Sequence, residues 1–172
     1  MTQLHNIAPV YDQNSRILIL GSFPSVRSRE VGFFYGHPQN RFWRTLAHVL
    51  GDEIPRTVEQ KKVFLLSHGI ALWDVIASCE ITGSSDSSIK DAVPNDIGGI
   101  LDAAPIERIF TNGATAYRLY CRYLQPVTGR EAMCLPSTSP ANAVWTQARL
   151  DEAWAVVGKR NAMPFIGEKE RF

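Results

Sequence analysis

Cysteine is scarce in this chain of 172 residues, which has three at widely separated positions, Cys79, Cys121 and Cys134. No pair has the Cys-x-x-Cys spacing typical of structural zinc and iron–sulfur sites, so we expect no metal and no other cofactor. Three is also an odd number and too few for a disulfide framework. A reducing cytoplasm is therefore the simplest setting for the protein.

A strong net charge and long apolar runs are also missing. Eighteen Lys and Arg face seventeen Asp and Glu, a formal net charge of +1, which does not by itself indicate a nucleic-acid-binding protein. No apolar run approaches membrane-spanning length, and the first residues lack the apolar core of a signal peptide. We expect a single domain over residues 1–172 that acts as a monomer away from membranes.

Short apolar stretches alternate with helical patterns along the chain. Strands are predicted at residues 16–20, 70–76, 108–111 and 132–135. Helices are predicted at residues 41–50, 58–67, 97–103, 114–124 and 144–159, and the Ser-rich stretch 78–94 is predicted to be a long loop. This alternation is typical of an α/β fold with a mainly parallel sheet, in which ligands bind beyond the carboxyl ends of the strands.

The loop after the first predicted strand is unusually aromatic, with the sequence GFFYGHPQNRFW over residues 32–43. Aromatic faces bind flat ligands, and nucleobases are flat. The alternative is that these rings pack onto the protein's own core, which we expect for Phe42 and Trp43 because of their helical positions.

The loop after the fourth predicted strand, residues 135–143, is small, polar and stiffened by two prolines. Such a loop can approach a phosphate backbone closely and donate hydrogen bonds to it. A plain turn before the last helix is the alternative interpretation.

Four short motifs together resemble the uracil-DNA glycosylase superfamily. They are GSFPS at 21–25, FFYGHPQNRFW at 33–43, GIALWDV at 69–75 and LPSTSPANA at 135–143. The match is greatest to the hypoxanthine-DNA glycosylase branch, and HPQNRFW is also similar to mismatch-specific uracil and thymine glycosylases. The resemblance implies a three-layer α/β/α sandwich with a central four-stranded, mainly parallel sheet. It also implies a repair enzyme acting on DNA that contains a deaminated base, hypoxanthine first and uracil second.

Two positions depart from the superfamily pattern. Phe23 stands where an Asn or Asp usually positions the attacking water, and Ser137 falls near a His that stabilises the departing base. In the hypoxanthine branch the resemblance implies that Asn40 positions the water, by accepting a hydrogen bond at its carbonyl oxygen. The alternative for Asn40 is an N-cap of the following helix, and both roles are compatible only if they share the side chain.

A glycosylase must extrude its target base into a pocket before it can recognise the base. Tyr35 matches a position that stacks on the flipped base in related enzymes. Asp74 can accept the N1–H of hypoxanthine, which adenine lacks, although a loop-bracing carboxylate is the alternative. Phe23 and Asn112 complete the predicted base-binding set, with a turn beside Gly113 as the alternative for Asn112.

The fourth loop is predicted to hold DNA. Its candidate residues are Ser137, Thr138, Ser139, Pro140, Ala141 and Asn142. Ala141 matches the position of a duplex-inserting wedge, and its small side chain predicts a weak one. Nearby arginines are candidates for phosphate contacts, although each alone also fits a solvated surface charge: Arg27, Arg29, Arg41 and Arg44.

Two other classes of function remain open on the sequence. One is a hydrolase of free nucleosides or nucleotides, which the proline-stiffened loop argues against. The other is a non-catalytic DNA-binding relative, which the intact sequence context of Asn40 argues against.

Overall fold

A computed structural model describes residues 1–159. Its strands are β1 (Thr2–Leu4), β2 (Ile17–Gly21), β3 (Ile70–Asp74), β4 (Ile76–Glu80), β5 (Lys90–Pro94), β6 (Arg108–Asn112) and β7 (Met133–Leu135). Its helices are α1 (Val26–Val31), α2 (Phe42–Leu50), α3 (Val58–Ser67), α4 (Gly98–Ala103), α5 (Ala114–Tyr123), α6 (Gln125–Thr128) and α7 (Gln147–Gly158).

The central sheet has four strands in the order β3-β2-β6-β7, and every neighbouring pair is parallel. Its register places Gly21 opposite Asp74, and Asn112 opposite Leu135. The carboxyl ends of all four strands therefore meet at one edge, as predicted, and bring their loops together there.

Both faces of this sheet are covered by helices. In β2, Ile19 packs into a core cluster with residues of α2, α3 and α7, whereas Leu18 and Leu20 pack into a second cluster with residues of α4 and α5. A strand buried on both faces needs a continuous apolar run, which is what residues 17–20 supply. The predicted three-layer α/β/α sandwich is confirmed.

The stretch 78–94 is not the long loop that its Ser-rich composition predicted. It contains most of β4 and all of β5, which pair antiparallel and form a second sheet with β1 in the order β1-β4-β5. Only residues 81–89 between these strands are irregular, with one short 3₁₀ turn at Asp86–Ser88. Irregular register between β4 and β5 and exposed positions along β5 conceal the strands from a pattern-based prediction.

The strand predicted at 70–76 is two strands joined at Val75. The Val75 backbone N–H donates to the Gly21 carbonyl at 2.8 Å, and Asn95 donates through Nδ2 to the carbonyls of Asp74 and Ile76. These bonds satisfy the backbone where the chain leaves the central sheet for the second one. Asp74 is consequently the last residue of β3.

Several helix boundaries also differ from the prediction. The last helix begins at Gln147, because Thr146 caps it by accepting the Arg149 N–H, and it ends at Gly158. Helices α1 and α6 were not predicted. The predicted domain runs to residue 172, and its last thirteen residues lie outside the described part. Within residues 1–159, no helix combines the length and apolar character that crossing a membrane would require.

Candidate active site

A cleft of about 1090 Å³ opens at the carboxyl edge of the central sheet. It is lined from all four strand ends and from the loop between β4 and β5. The predicted site residues all border it: Phe23, Tyr35, Asn40, Asp74, Asn112 and the loop Ser137, Thr138, Ser139, Pro140, Ala141 and Asn142. The structure thus brings together residues that are up to about 120 positions apart in the chain.

The aromatic loop is held in place from both sides. Trp43 donates through Nε1 to the Phe34 carbonyl at 3.2 Å, and the Gly36 N–H donates to Ser28 Oγ at 3.0 Å. The Tyr35 ring lies on Phe42 with 4.1 Å between centroids and 19° between planes. One face of Tyr35 is therefore covered by the core, as the packing interpretation required, while the residue still borders the cleft.

Tyr35 combines two unfavourable features. Its backbone has a φ of 52°, in the left-handed region that non-glycine residues avoid. Its Oη is buried, and within residues 1–159 it has no hydrogen-bond partner. Burial raises the pKa of Tyr35 far above its ordinary value, and the charge of Asp74 adds to this effect, whereas the neighbouring Asn112 side chain opposes it. The phenol is consequently neutral and keeps its proton.

Asp74 is oriented by His5, which the sequence did not predict as a site residue. His5 Nδ1 accepts the Ile7 N–H at 3.2 Å, so its Nε2 carries the proton that is donated to Asp74 Oδ2 at 2.8 Å. Both side chains are about 95% buried. One carboxylate oxygen of Asp74 is thereby engaged, and Oδ1 is left toward the cleft.

Gly21 is the point at which these two side chains converge. A Cβ atom on Gly21 would come within 2.3 Å of Asp74 Oδ1 and 2.8 Å of Tyr35 Oη. Neither contact is tolerable for a carbon atom, so only glycine fits at the end of β2. The missing side chain leaves a carboxylate oxygen and a phenol next to the same small space.

Asn40 lies where the aromatic loop meets the fourth loop. Its Oδ1 accepts the Phe42 backbone N–H at 2.9 Å and the Thr138 hydroxyl at 2.9 Å. Since α2 begins at Phe42 and its N-cap Arg41 makes no side-chain cap, Asn40 serves the helix end from one residue earlier. The catalytic and capping interpretations therefore share one side chain.

This geometry corrects one detail of the predicted mechanism. The two acceptor positions of the Asn40 carbonyl are both occupied, so this oxygen cannot be the main holder of a water. The Nδ2 group of Asn40 is the one that has no partner within residues 1–159, and the residue borders the cleft. Because a backbone N–H requires an acceptor, the Phe42 bond also fixes which amide atom is oxygen.

Thr138 connects Asn40 to the third strand end. Asn112 donates through Nδ2 to Thr138 Oγ1 at 3.0 Å, and its Oδ1 accepts the Thr138 N–H at 3.0 Å. Thr138 has no exposed surface. Its predicted contact with DNA is therefore corrected: a fully buried residue holds the two asparagines and cannot reach a phosphate.

The rest of the fourth loop is accessible. Pro140 and Ala141 are exposed at its tip, while Ser137, Ser139 and Asn142 are half-buried and bond within the loop. The loop is also tied to Arg41, which donates to the carbonyls of Trp145, Ser139 and Asn142. These bonds make Arg41 a loop-bracing residue instead of a free cation for phosphate.

Arg29 is similarly engaged, since it donates to Gln3 Oε1 at 2.9 Å and to the Gly83 carbonyl at 3.1 Å. Arg44 is exposed on α2, and Arg27 forms a long exposed ion pair with Glu30 at 3.7 Å. Of the four arginines considered for phosphate contacts, Arg27 and Arg44 are those whose guanidinium groups are accessible.

A second carboxylate borders the cleft from the loop between β4 and β5. Asp86 accepts the Ser22 hydroxyl at 2.7 Å, directly after the Gly21 position. Partial burial of its carboxylate raises the pKa of Asp86, the Ser22 hydrogen bond lowers it, and Asp74 raises it further. The sequence did not single out Asp86, because it lies in a Ser-rich stretch without any recognisable motif.

Comparison with known proteins agrees with this geometry. The family model of the uracil DNA glycosylase superfamily matches residues 8–158, which covers most of the chain and all four cleft-forming loops. The chain belongs to the uracil DNA glycosylase superfamily. This membership confirms the fold and the enzyme class, a DNA glycosylase, that the four motifs predicted.

Two relatives of this glycosylase come from Methanosarcina. A hypoxanthine DNA glycosylase of Methanosarcina acetivorans is 37% identical over 149 residues, covering 86% of this chain and 93% of the relative. A hypoxanthine DNA glycosylase of Methanosarcina barkeri is 35% identical over 156 residues, covering 88% and 96%. The resemblance to the hypoxanthine branch is thereby confirmed.

A similar solved structure is the solution NMR structure of a uracil DNA glycosylase-like protein from Methanosarcina acetivorans. It has a TM-score of 0.78 and 36% sequence identity, and the match covers 92% of this glycosylase and 98% of that chain.

No metal-binding cluster is found within residues 1–159. They contain no group of three or more His, Cys, Asp or Glu side chains placed to hold an ion.

Proposed function

We propose that this glycosylase releases hypoxanthine from DNA by hydrolysing its N-glycosidic bond. The observation that carries the proposal is the arrangement of Asp74, whose Oδ2 is held by His5 while Oδ1 is left toward the cleft. Hypoxanthine presents an N1–H to such an acceptor, whereas adenine presents a lone pair at N1. The names of the two Methanosarcina relatives support the same substrate.

The water that attacks the sugar is positioned by Asn40. With its carbonyl held by Phe42 and Thr138, the amide is fixed, and Nδ2 donates to the water oxygen. A second lone pair of that oxygen then remains for bonding to C1′. Such orientation is sufficient for a dissociative reaction, in which most of the barrier falls when the sugar cation and leaving base are stabilised.

The bond changes balance without a cofactor. The C1′–N9 bond breaks and its electron pair leaves with the base, which gives the sugar oxocarbenium character. The water oxygen bonds to C1′ and releases one proton to solvent, while the base takes up a proton. The products are an abasic site in DNA and free hypoxanthine.

The target base reaches the cleft by extrusion from the duplex. Phe23 and Tyr35 supply aromatic walls, and Asn112 braces the pocket through Thr138. The exposed tip of the fourth loop, at Pro140 and Ala141, faces the DNA and enters the space that the extruded base leaves in the duplex. DNA and not a free nucleoside is the substrate, because this tip has no role with a nucleoside.

A single assay tests the proposed function. An end-labelled duplex with one deoxyinosine is incubated with excess enzyme, treated with hot alkali and separated on a denaturing gel. Strand cleavage at deoxyinosine, with none at deoxyadenosine in the same context, is the expected result. Binding without cleavage indicates a non-catalytic module, and hydrolysis of free inosine alone indicates a nucleoside hydrolase. Either outcome overturns the proposal.

A further inference from the structure

The Tyr35 hydroxyl is the most conspicuous polar group that the proposed reaction does not use. It is buried and has no hydrogen-bond partner within residues 1–159, and buried polar groups in native proteins are normally paired. The same residue has a left-handed backbone. Two unfavourable features at one cleft residue point to a function that requires them.

Neighbouring groups do not satisfy this hydroxyl. The Asn112 amide is close, but it bonds to Thr138. A remaining N–H of its Nδ2 can only donate to the phenol oxygen, which leaves the phenol proton without an acceptor. Asp74 uses Oδ2 for His5. The Tyr35 Oη and the Asp74 Oδ1 instead converge on the space above Gly21, where each would contact any added side chain. An unpaired donor and an unpaired acceptor therefore stand next to each other in the wall of the cleft.

We propose that the Tyr35 hydroxyl donates a hydrogen bond to O6 of the extruded hypoxanthine while Asp74 Oδ1 accepts its N1–H, which makes Tyr35 a specificity-determining residue through its hydroxyl. This inference rests on the proposed function and assigns a contact that ring stacking does not supply. The pair matches the adjacent carbonyl and N–H of a deaminated base, an arrangement that xanthine and uracil also present.

Adenine presents the reverse pattern to the same pair. Its exocyclic amino group would meet the phenol O–H as donor against donor, and its N1 lone pair would meet the carboxylate as acceptor against acceptor. The N1–carboxylate contact leaves a buried acceptor unpaired, and a site built to bond its substrate rejects analogues for this reason. Burial keeps the phenol neutral, so its donor is present across the working pH range.

Tyr35→Phe tests the hydroxyl separately from the ring. The substitution keeps the ring that lies on Phe42 and any stacking on the base, and it removes only the O–H. We expect single-turnover release of hypoxanthine to fall about tenfold, the effect of losing one buried hydrogen bond. Tyr11→Phe is the matched control, because Tyr11 is exposed and lies outside the residues that line the cleft, and it should retain the wild-type rate.

A second substrate identifies the atom that is contacted. In duplexes with deoxy-6-thioinosine, sulfur replaces O6 as a poorer hydrogen-bond acceptor while N1–H remains. Changing oxygen to sulfur should slow the wild-type enzyme by a larger factor than it slows the Tyr35→Phe variant, because the variant has already lost the contact. Comparing the two factors cancels the different leaving abilities of the bases.

The outcomes separate this inference from the proposed function. The role of the hydroxyl would be overturned if Tyr35→Phe releases hypoxanthine at a rate within twofold of the wild-type rate, or if sulfur slows both enzymes by the same factor. The proposed release of hypoxanthine would stand in either case. A wild-type enzyme that does not cleave deoxyinosine DNA would overturn both. If the unfolding temperature of the Tyr35→Phe variant is close to or above that of the wild-type enzyme, a lower rate does not result from a loss of folded protein.

Discussion

At the scale of single residues, the proposed mechanism gives Asn40 two duties, one at each end of its amide. Its oxygen ties the start of α2 to the fourth loop, and the proposal assigns its nitrogen to the reaction. The sequence motif predicted the residue but not this division. Thr138, the donor that occupies the oxygen, lies 98 positions away, and no local pattern reveals such a contact.

We expect Asn40→Ala to lower single-turnover release of hypoxanthine at least about tenfold, since a lost positioning contact costs more than about 1.4 kcal/mol of barrier. The variant should also unfold more easily by about 1 kcal/mol, because the Phe42 N–H loses its acceptor. Rapid-quench assays and thermal unfolding measure the two effects. Asn14→Ala, in an exposed turn, serves as the control. A near-normal rate for Asn40→Ala would remove Asn40 from the mechanism.

Asp86 gives a pH-dependent prediction. Its pKa is raised in the folded protein by partial burial and by Asp74, so the fold disfavours its charged form. This penalty is present above the folded pKa and disappears as pH falls below the ordinary carboxyl value. Because Asp86 as a whole residue is exposed, solvent screens this penalty and the effect is small. Asp86→Asn should therefore raise the unfolding temperature at pH 7.5 by on the order of 1 °C at most, and the gain should shrink at pH 4.5.

Calorimetry at the two pH values checks this expectation. Asp102→Asn makes the same change of formal charge on the exposed surface of α4, outside the cleft. If the gain in unfolding temperature from Asp86→Asn grows at the lower pH, the upward direction of the Asp86 pKa shift is wrong.

At the scale of elements, the fourth loop is more rigid than a turn that only connects. Arg41 donates to two of its carbonyls and to that of Trp145 just after it, and Trp154 donates through Nε1 to the Pro136 carbonyl at 2.9 Å. Its tip, at Pro140 and Ala141, is exposed, as is Ala143 at its end. Under the proposed function, the loop would therefore present a fixed but small surface to the gap that an extruded base leaves in the duplex.

Enlarging this tip should strengthen DNA binding. Ala141→Leu adds apolar surface at the wedge position, and we expect about fivefold tighter binding to a duplex with non-cleavable 2′-fluoro-deoxyinosine. Fluorescence anisotropy measures the affinity. Val127→Leu, exposed on α6, adds apolar surface outside the cleft and should have no effect. Equal affinities for Ala141→Leu and the wild-type enzyme would show that the tip does not enter the duplex.

Elements differed in how far the sequence predicted them. The central strands were predictable because strands buried on both faces appear as unbroken apolar runs, as in β2. Strands β4 and β5 were not, because half-exposed pairs with irregular register carry no clean alternation. His5 gave no signal either, since its role depends on where the segment after β1 lies against Asp74.

At the scale of the whole molecule, the formal net charge of +1 leaves little long-range attraction for DNA. Arg29 and Arg41 are already bound to carbonyl and amide oxygens of the protein, so they add little to phosphate binding. Under the proposed function, DNA recognition would thus depend on the cleft and the loop tip more than on a basic surface.

The affinity for DNA should consequently depend only weakly on salt. We expect a slope of log K against log salt concentration no steeper than about −3, since each neutralised phosphate contributes about −0.9. Arg44→Ala, which removes an exposed cation on α2, should flatten this slope by about 1 if Arg44 contacts a phosphate. A wild-type slope of about −6 or steeper would contradict this expectation, because it would require many more Lys or Arg contacts to phosphate than the accessible arginines provide.

The pair of hydrogen bonds that the Asn40 side-chain oxygen accepts has one more consequence. Both of its donors, from Phe42 and Thr138, meet the same oxygen. An aspartate at this position could accept both bonds unchanged, while the atom toward the cleft would switch from hydrogen-bond donor to anionic acceptor. Under the proposed mechanism, Asn40→Asp would replace a group that only positions the water with one that can also accept its proton, and the bonds to both loops would remain. The chemistry of the reaction and the anchoring of the loops could then be altered separately.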